Sequence, residues 1–390
     1  MEPAFLHTRG LSALWREPAM DDTYEVLIVG ARVAGAALAT FLGEAGHKVL
    51  LVDRASFPSP TPSTHFFRGA HLVRILKRLG VLTDVLNTGA PPLTRELFYF
   101  GGSPTPVTSA PQDAGDIGHG LSVRRATLDS LLVRRAQSFP SVTFLPRTRV
   151  GALLKTNERV TGARLVSETG ESFDVQANIV VGADGRHSFI ARAVQAPIEE
   201  SAPAVRGMFY RYVNNYPSWD GCPLDAAEFS LFENEITYVF PSDAGTTCHA
   251  LSVGSEHFHW IRERIEDRFK DQLERHPGVK DRLLEAHHVS RVLASYPEPS
   301  VMRVPAGPGW ALVGDAGVHQ DPWSGVGMDC AGTHAELLAE ELTSWLNGRA
   351  PEDSWRRRYH QRRNSHVRPL FQQTISLARD LRPITGGRHA

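Results

Sequence analysis

The amino-acid sequence predicts an α/β fold, in which a parallel sheet with flanking helices carries an inserted antiparallel β-sheet domain and is followed by C-terminal helices. Three observations predict this arrangement. Residues 24–53 show the pattern of a strand, a glycine turn, a helix and a second strand, which is the crossover unit of a parallel sheet. Residues 203–298 are rich in aromatic side chains and in short alternating strands. From Glu352 onward the chain has a helical, arginine-rich pattern.

Hydrophobic periodicity and turn residues locate the individual elements. The apolar, β-branched run Tyr24–Val29 predicts a strand that is buried on both faces. Gly46 follows the apolar segment Val33–Ala45 and predicts the end of a helix there. The other predicted strands are Lys48–Val52, Glu96–Phe100, several between Val142 and Val181 with turns at Asn157–Glu158 and Thr169–Gly170, and Trp310–Val313. The other predicted helices are His71–Leu86, Leu121–Ala136, Ile261–Ala286 and Gly332–Leu346.

The composition favours a small-molecule partner. Of the 390 residues, 42% are apolar and 22% charged, and the net charge of −1 provides no global field to attract nucleic acid or an acidic membrane surface. Cys222, Cys248 and Cys330 form no CxxC pair, so neither a disulfide framework nor a metal site is predicted. The apolar stretch Val26–Gly43 is interrupted by Arg32 and predicts no membrane span. We expect a cytoplasmic enzyme, and the sequence leaves its oligomeric state open.

A Rossmann-like nucleotide-binding unit is predicted at the first turn, residues 30–35, which we call the glycine loop. A diphosphate needs backbone N–H donors at a helix N-terminus and glycines that permit close approach. Arg32 replaces the middle glycine of the usual GxGxxG spacing. Its side chain either points away from the diphosphate or pairs with a phosphate, and the sequence leaves both alternatives open. Asp53 lies about 20 residues further on, at the position of a ribose-binding carboxylate.

Two later strands also end in turns rich in glycine and aspartate. IVVGADGRHS contains Asp184–Gly185, which we call the DG turn, and WALVGDAG contains Gly314–Asp315, which we call the GD turn. Parallel strands present their carboxyl ends at one edge of a sheet, where open α/β sheets bind nucleotides. The three turns therefore predict a single nucleotide-binding crevice.

On these motifs the chain resembles the FAD-dependent monooxygenases of the para-hydroxybenzoate hydroxylase fold, which are related to geranylgeranyl reductases and flavin-dependent halogenases. GARVAG, GADGRHS and LVGDAG resemble the family's three cofactor motifs, and DPWSGVGMDCAGTHAELLAEEL resembles its flavin-contacting segment. The resemblance covers residues 24–350 or so. Together with the pattern of elements, it predicts an N-terminal extension (1–22), a discontinuous FAD-binding domain (23–202 and 299–350) with substrate-side loops near 60–120, a substrate domain (203–298) and a C-terminal helical tail (351–390).

The resemblance also implies which residues bind FAD. The glycine loop would hold the diphosphate, and Asp53 the adenosine ribose. Residues 322–328, which we call the flavin loop, would face the isoalloxazine ring. In VRRATLD, the spacing to Leu128 favours Arg125 over Arg124 as a cofactor contact. The complete set of implied cofactor-binding residues is Gly30, Ala34, Gly35, Asp53, Arg54, Arg125, Val150, Asp184, Gly185, Asp315, Pro322, Gly325, Val326, Gly327 and Met328.

The activity implied is monooxygenation. NAD(P)H would reduce FAD, O₂ would form a flavin C4a-hydroperoxide, and an aromatic or polycyclic small molecule would be hydroxylated or epoxidised. Because the cofactor carries this chemistry, no catalytic acid or base is assigned. His65, Arg68, His319 and Asp321 are candidates only for lining the site. The alternatives are a prenyl or double-bond reductase of the geranylgeranyl reductase type, a flavin halogenase and a non-enzymatic prenyl-carrier escort protein.

Overall fold

The protein is represented by a computed structural model that describes residues 23–61, 63, 66–67, 70–103, 105–110, 117–218 and 224–381. Its strands are β1 (Thr23–Val29), β2 (Val49–Val52), β3 (Phe66–Phe67), β4 (Arg95–Phe100), β5 (Val107–Ser109), β6 (Leu121–Ser122), β7 (Val142–Leu145), β8 (Thr148–Thr156), β9 (Arg159–Ser167), β10 (Ser172–Gly182), β11 (Ile198–Ala202), β12 (Arg206–Asn214), β13 (Ala226–Phe232), β14 (Glu235–Pro241), β15 (Thr246–Gly254), β16 (His287–His288), β17 (Leu293–Ser295), β18 (Ser300–Arg303), β19 (Ala306–Gly307), β20 (Trp310–Leu312) and β21 (Val318–His319). Its α-helices are α1 (Val33–Glu44), α2 (Ala70–Arg78), α3 (Leu82–Leu86), α4 (Arg125–Gln137), α5 (Phe189–Ala193), α6 (Ser255–Glu263), α7 (Ile265–Glu274), α8 (Pro277–Leu283), α9 (Gly327–Leu346) and α10 (Glu352–Ala378).

The first sheet contains five parallel strands in the order β20, β10, β1, β2 and β7. β1 and β2 are runs of apolar, largely β-branched residues that are buried on both faces, as strands covered by helices require. α1 connects β1 to β2 and packs against α4 and α9. The strand–helix–strand unit predicted from the sequence is therefore present, and the carboxyl ends of β1, β10 and β20 lie side by side.

The second sheet is mainly antiparallel and runs in the order β16, β12, β15, β14, β13, β4 and β5, with β17 also paired to β12. One face packs on the helices α6 and α7 through a core that includes Phe209, Phe258 and Phe269. The opposite face carries Tyr210, Tyr238 and Phe240, which belong to a separate aromatic cluster. β4 adds to this sheet parallel to β13 although it precedes it by more than a hundred residues. The predicted α/β class with an antiparallel sheet and C-terminal helices is confirmed.

Two helices predicted as continuous are interrupted. The prediction of a single helix over Ile261–Ala286 is wrong, because Arg264 adopts φ −136° and ψ 64° between α6 and α7, and Pro277 begins α8. The predicted helix His71–Leu86 is divided into α2 and α3 at Gly80, whose φ of +73° ends the helical path. None of the helices that the structure describes is long and apolar enough to cross a membrane.

Candidate functional site

The glycine loop is packed directly against the DG turn. Gly30 has φ +104°, and a Cβ placed there would lie 2.3 Å from the Ala183 carbonyl oxygen. A Cβ on Gly35 would lie 1.7 Å from the Gly30 carbonyl oxygen. Both contacts are shorter than atoms tolerate, so each position accepts only glycine. The two glycines are therefore required by the close approach of two backbone segments at the carboxyl ends of β1 and β10.

The GD turn meets the same crevice. Gly314 has φ +61°, and a Cβ there would lie 2.8 Å from the Cβ of Ala34 in the first turn of α1. The backbone N–H of Val313 donates to the Gly182 carbonyl at 2.9 Å, and the N–H of Ala183 donates to Val29 at 2.8 Å. The three turns that the sequence singled out are thus in contact with one another.

Asp53 is tied to the glycine loop. Its Oδ2 accepts from the Ala31 N–H at 2.7 Å, and its Oδ1 accepts from the Ala55 N–H at 2.8 Å. The carboxylate is therefore fixed at the mouth of the loop with lone pairs remaining for another donor. Thr148 donates its N–H to the Asp53 carbonyl at 2.9 Å, which brings the start of β8, including Val150, to this end of the crevice. Arg54 is exposed beside it.

Arg32 does not point into solvent. Its Nη1 donates to Asp129 Oδ2 at 2.8 Å, and Nη2 donates to the Pro60 carbonyl at 3.2 Å. Arg125 donates to the same carboxylate, from Nε at 3.1 Å and from Nη2 at 3.2 Å. The Asp129 side chain is completely buried between the two guanidinium groups. Arg124 turns the other way and donates to Asp243 at 3.0 Å, so Arg125 is the arginine placed next to the glycine loop.

Asp129 is a residue of this site that sequence reasoning missed. Its spacing of four residues from Arg125 on α4 is a recognisable helical ion pair. Its partnership with Arg32, 97 residues away, has no local signature. The fold creates that pairing by packing α1 against α4.

The two other predicted carboxylates differ in their availability. Asp184 accepts hydrogen bonds from Ser188 Oγ at 2.5 Å and from the Phe189 and Ile190 N–H groups at 2.7 and 3.2 Å, so it caps the start of α5. Burial nevertheless raises its pKa above the usual value. Asp315 is 45% exposed and lies 3.5 Å from the Nδ1 of His319. The carboxylate of Asp315 thus remains accessible, whereas that of Asp184 is largely engaged within its own turn.

The flavin loop has an open side. Asp321 accepts from the Trp323 N–H at 3.1 Å and starts a single 3₁₀ turn, Pro322–Ser324. Gly325 follows with φ +71°, and a Cβ at Gly325 or Gly327 would meet no atom within 4 Å. The backbone at these two glycines is therefore accessible to a ligand. Val326 precedes the first residue of α9, so that Met328 belongs to the first turn of that helix.

The N-termini of α1 and α9 adjoin the glycine loop and the flavin loop. Neither the start of α1 nor the start of α9 receives a capping hydrogen bond from a described side chain. Their first N–H groups therefore remain available to an anionic ligand. Together with a fixed carboxylate at Asp53 and the guanidinium groups of Arg32 and Arg125, this donor set fits a dinucleotide with a diphosphate at α1 and an electron-accepting ring at α9.

The structure describes two of the four candidate lining residues, His319 and Asp321. His65 and Arg68 lie outside the described residues. His319 and Asp321 are both buried, immediately before the flavin loop. Burial raises the pKa of Asp321 to about 6, against the opposing influence of the Trp323 N–H and Arg206. Asp321, which lies two residues before Trp323 of the flavin loop, is therefore expected to titrate at about pH 6.

Known proteins support the cofactor that this geometry fits. The sequence profile of the family described as "FAD binding domain" matches residues 23–374, which is most of the chain. Kynurenine 3-monooxygenase of Salinispora tropica is 26% identical over 352 residues, covering 82% of this chain and 72% of that protein. The 3-(3-hydroxy-phenyl)propionate/3-hydroxycinnamic acid hydroxylase of Klebsiella pneumoniae is 26% identical over 390 residues, covering 94% of this chain and 64% of that protein.

A solved structure shows the same fold. The myxobacterial chondrochloren halogenase CndH superposes with a TM-score of 0.81 over 91% of this chain and 82% of that one. At 22% identity this likeness concerns the fold alone. The breadth of the family match and the crevice formed by the three turns lead to one conclusion: the chain belongs to the FAD binding domain family and is an FAD-dependent oxidoreductase.

Proposed function

We propose that this protein is an FAD-dependent monooxygenase that uses NAD(P)H and hydroxylates or epoxidises an aromatic or polycyclic small molecule. The observation that carries the proposal is the position of Trp323. This residue lies in the flavin loop and packs against the aromatic face of the second sheet. The Tyr238 hydroxyl donates to the Trp323 carbonyl at 3.4 Å. The flavin loop is therefore in direct contact with an aromatic surface.

This surface includes Tyr210, Tyr238 and Phe240, and we call it the aromatic wall. Its side chains are suited to binding an aromatic ligand. Phe66 stacks on Phe240 with ring centroids 4.7 Å apart, and Phe229 lies edge-on to Tyr238 at 5.9 Å. The cluster around them is composed of hydrocarbon, sulfur-containing and phenolic side chains. Ring stacking and apolar burial are the interactions such a wall offers. The names of the two curated relatives include a monooxygenase and a hydroxylase with a hydroxyphenyl substrate, which agrees with this assignment.

Two charged groups near the wall, Arg206 and Arg124, already have hydrogen-bond partners. Arg206 donates to the Ser252 hydroxyl at 3.0 Å, to the Ser252 carbonyl at 2.9 Å and to the Asn234 carbonyl at 2.7 Å. Arg124 is paired with Asp243. A substrate carboxylate would have to compete with these contacts, so we propose that the ring system provides most of the binding energy.

Bound FAD would supply the chemistry of activating O₂ after reduction by NAD(P)H. One oxygen atom enters the substrate, the other leaves as water, and NAD(P)H and a proton provide the two electrons and the hydrogens. The N-terminus of α9 would stabilise negative charge on the reduced ring. The aromatic wall would exclude water from the reacting atoms.

The proposal is tested by anaerobic mixing of the FAD-loaded protein with NADPH or NADH across a panel of aromatic and polyketide-like ligands. The loss of oxidised flavin absorbance gives the reduction rate. We expect one ligand class to accelerate reduction. After admission of isotope-labelled O₂, that ligand should gain one labelled oxygen atom, as measured by mass spectrometry.

Three results would overturn the proposal. A product that gains two hydrogen atoms and no oxygen would identify a double-bond reductase. Reduction that is fast and equal with every ligand, with all electrons released as hydrogen peroxide, would exclude a ligand-controlled hydroxylase. A halide-dependent product would identify a halogenase.

A further inference from the structure

We propose that Cys330, His334, His366 and Gln320 form a buried binding site for one Zn²⁺ ion. Cys330 and His334 lie on α9, His366 lies on α10, and Gln320 directly follows β21. The site does not depend on the proposed oxygenase function. No metal site was predicted because the cysteines form no CxxC pair, and of the four donors only Cys330 and His334 are close in sequence.

The three stronger ligands already converge. Cys330 and His334 are four residues apart on α9 and therefore share one face of that helix. His366 approaches from α10, and one donor atom from each of the three residues lies within 4.8 Å of the others. His366 Nδ1 and His334 Nε2 are 3.4 Å apart. Two nitrogens bound to one tetrahedral Zn²⁺ at about 2.05 Å would be separated by roughly 3.35 Å.

Gln320 supplies the second, independent observation. Its side chain is buried, and its Oε1 has no hydrogen-bond partner among the described residues. Its Nε2 lies 3.8 Å from the Cys330 sulfur. The oxygen and nitrogen of an amide exchange places by a simple rotation, which would turn the carbonyl oxygen toward the Cys330 sulfur. A buried carbonyl oxygen without a donor is costly, and a metal ion would satisfy it.

The surroundings suit a closed, structural ion. Met302, Val318, Val367 and Phe371 pack with Cys330 and cover that side of the site, whereas His366 is half-buried. The nearby cation is Arg363, and its charge is balanced by Glu199, to which Nη2 donates at 3.0 Å. Structural zinc sites take four protein ligands, usually cysteine and histidine, and keep no open position.

The proposed site lies at the two ends of the flavin loop, where a bound ion would affect the structure of the loop. Gln320 directly precedes Asp321 and the flavin loop, and Cys330 lies one turn into the helix that follows it. Zn²⁺ would join both ends of the flavin loop to α10. The ion would thus reduce the freedom of the loop.

The experiment uses full-length, tag-free protein carrying FAD. It is incubated with ZnCl₂, desalted, and analysed for zinc, flavin and protein. We expect about one Zn²⁺ per chain, falling below about a tenth in Cys330→Ser. Co²⁺ serves as an optical probe, because a tetrahedral cobalt–thiolate centre absorbs at longer wavelengths than oxidised FAD. Zn²⁺ should raise the thermal unfolding midpoint, and EDTA should reverse the increase.

Cys248→Ser is the matched control. Cys248 is also a buried free cysteine, but it lies in the second sheet with the aromatic cluster. This variant should retain the zinc content of the wild-type protein. If Cys330→Ser fails to fold, His366→Gln on the half-buried side of the site takes its place. Zinc retention below about a tenth of an ion per chain in the wild-type protein, or equal retention in all variants, would overturn the proposal.

Discussion

The guanidinium of Arg32 lies 2.8 Å from the buried carboxylate of Asp129, although the two residues are 97 positions apart. Arg32 stands where the usual dinucleotide loop has a glycine, and Asp129 holds it together with Arg125. The Arg32 side chain is therefore held by Asp129, and two positive charges are fixed beside the glycine loop. The arginine that replaces the middle glycine of the motif is therefore part of a fixed group of charges with Arg125 and Asp129.

Replacement of Asp129 by alanine should destabilise the protein by about 2–3 kcal/mol, because two guanidinium groups lose their common partner in a largely buried position. Urea unfolding followed by far-UV circular dichroism measures the loss. Asp174→Ala is the control, since Asp174 forms an exposed surface pair with Arg164 and should leave the unfolding midpoint unchanged. An equal effect of both substitutions would contradict the assignment.

Arg125→Ala should weaken FAD binding by about tenfold or more, because it removes a fixed positive charge beside the glycine loop. Arg124→Ala removes the neighbouring guanidinium, which is committed to Asp243, and should leave the FAD affinity within about twofold of wild type. Fluorescence titration of the apoproteins with FAD compares the two. The reverse order of effects would show that Arg124 is the cofactor contact.

Asp321 gives the folded protein a pH dependence. Burial raises its pKa to about 6, so the folded chain keeps a proton that the unfolded chain releases near pH 4. The free energy of unfolding should therefore fall as the pH rises through about 4 to 6. Asp321→Asn should be more stable than wild type by about 1–3 kcal/mol near pH 7.5 and equal to it near pH 4.

Urea unfolding at both pH values tests this difference. Asp174→Asn is the counterpart, because the hydrogen bond from Arg164 lowers the pKa of Asp174, and its loss gives no stabilisation at neutral pH. A wild-type protein as stable as Asp321→Asn across the range would show that Asp321 is ionised without cost.

Phe240→Leu should raise the KM for the aromatic ligand by about five- to tenfold, because it removes a stacking ring from the wall beside the flavin loop. Phe209→Leu is the matched control: Phe209 stacks on Phe258 at 4.5 Å, but on the opposite face of the same sheet. Steady-state kinetics with the ligand identified by the reduction assay separates the two variants. Equal KM values in the two variants would show that the aromatic wall does not bind the substrate.

Much of the fold could be predicted because its demands are local. The glycine spacing of the glycine loop and the apolar, β-branched runs of β1 and β2 are signals contained in short stretches of sequence. What could not be predicted depends on contacts between distant segments. The pairing of Arg32 with Asp129 and the parallel addition of β4 to β13 have no signature in local sequence.

Breaks within helices and clusters that join distant segments were also missed by the sequence analysis. The helix predicted over Ile261–Ala286 is broken where Arg264 leaves the helical conformation, since periodicity reports buried faces more clearly than it reports breaks. The Cys330–His334–His366 cluster joins two helices that only tertiary packing brings together. The roles of Asp53, Arg125, Asp315 and the flavin loop in holding FAD are still predictions.

Titration of the apoprotein with FAD tests the central claim most directly, namely that the glycine loop and the two turns packed against it form the cofactor site. The wild-type protein should bind one FAD per chain, and Gly30→Ala should weaken binding by more than about tenfold, because its Cβ would collide with the DG turn. Gly254→Ala, where a Cβ meets open space, should bind as tightly as wild type. A colourless protein that does not bind added FAD, or equal affinity in all three proteins, would contradict the account.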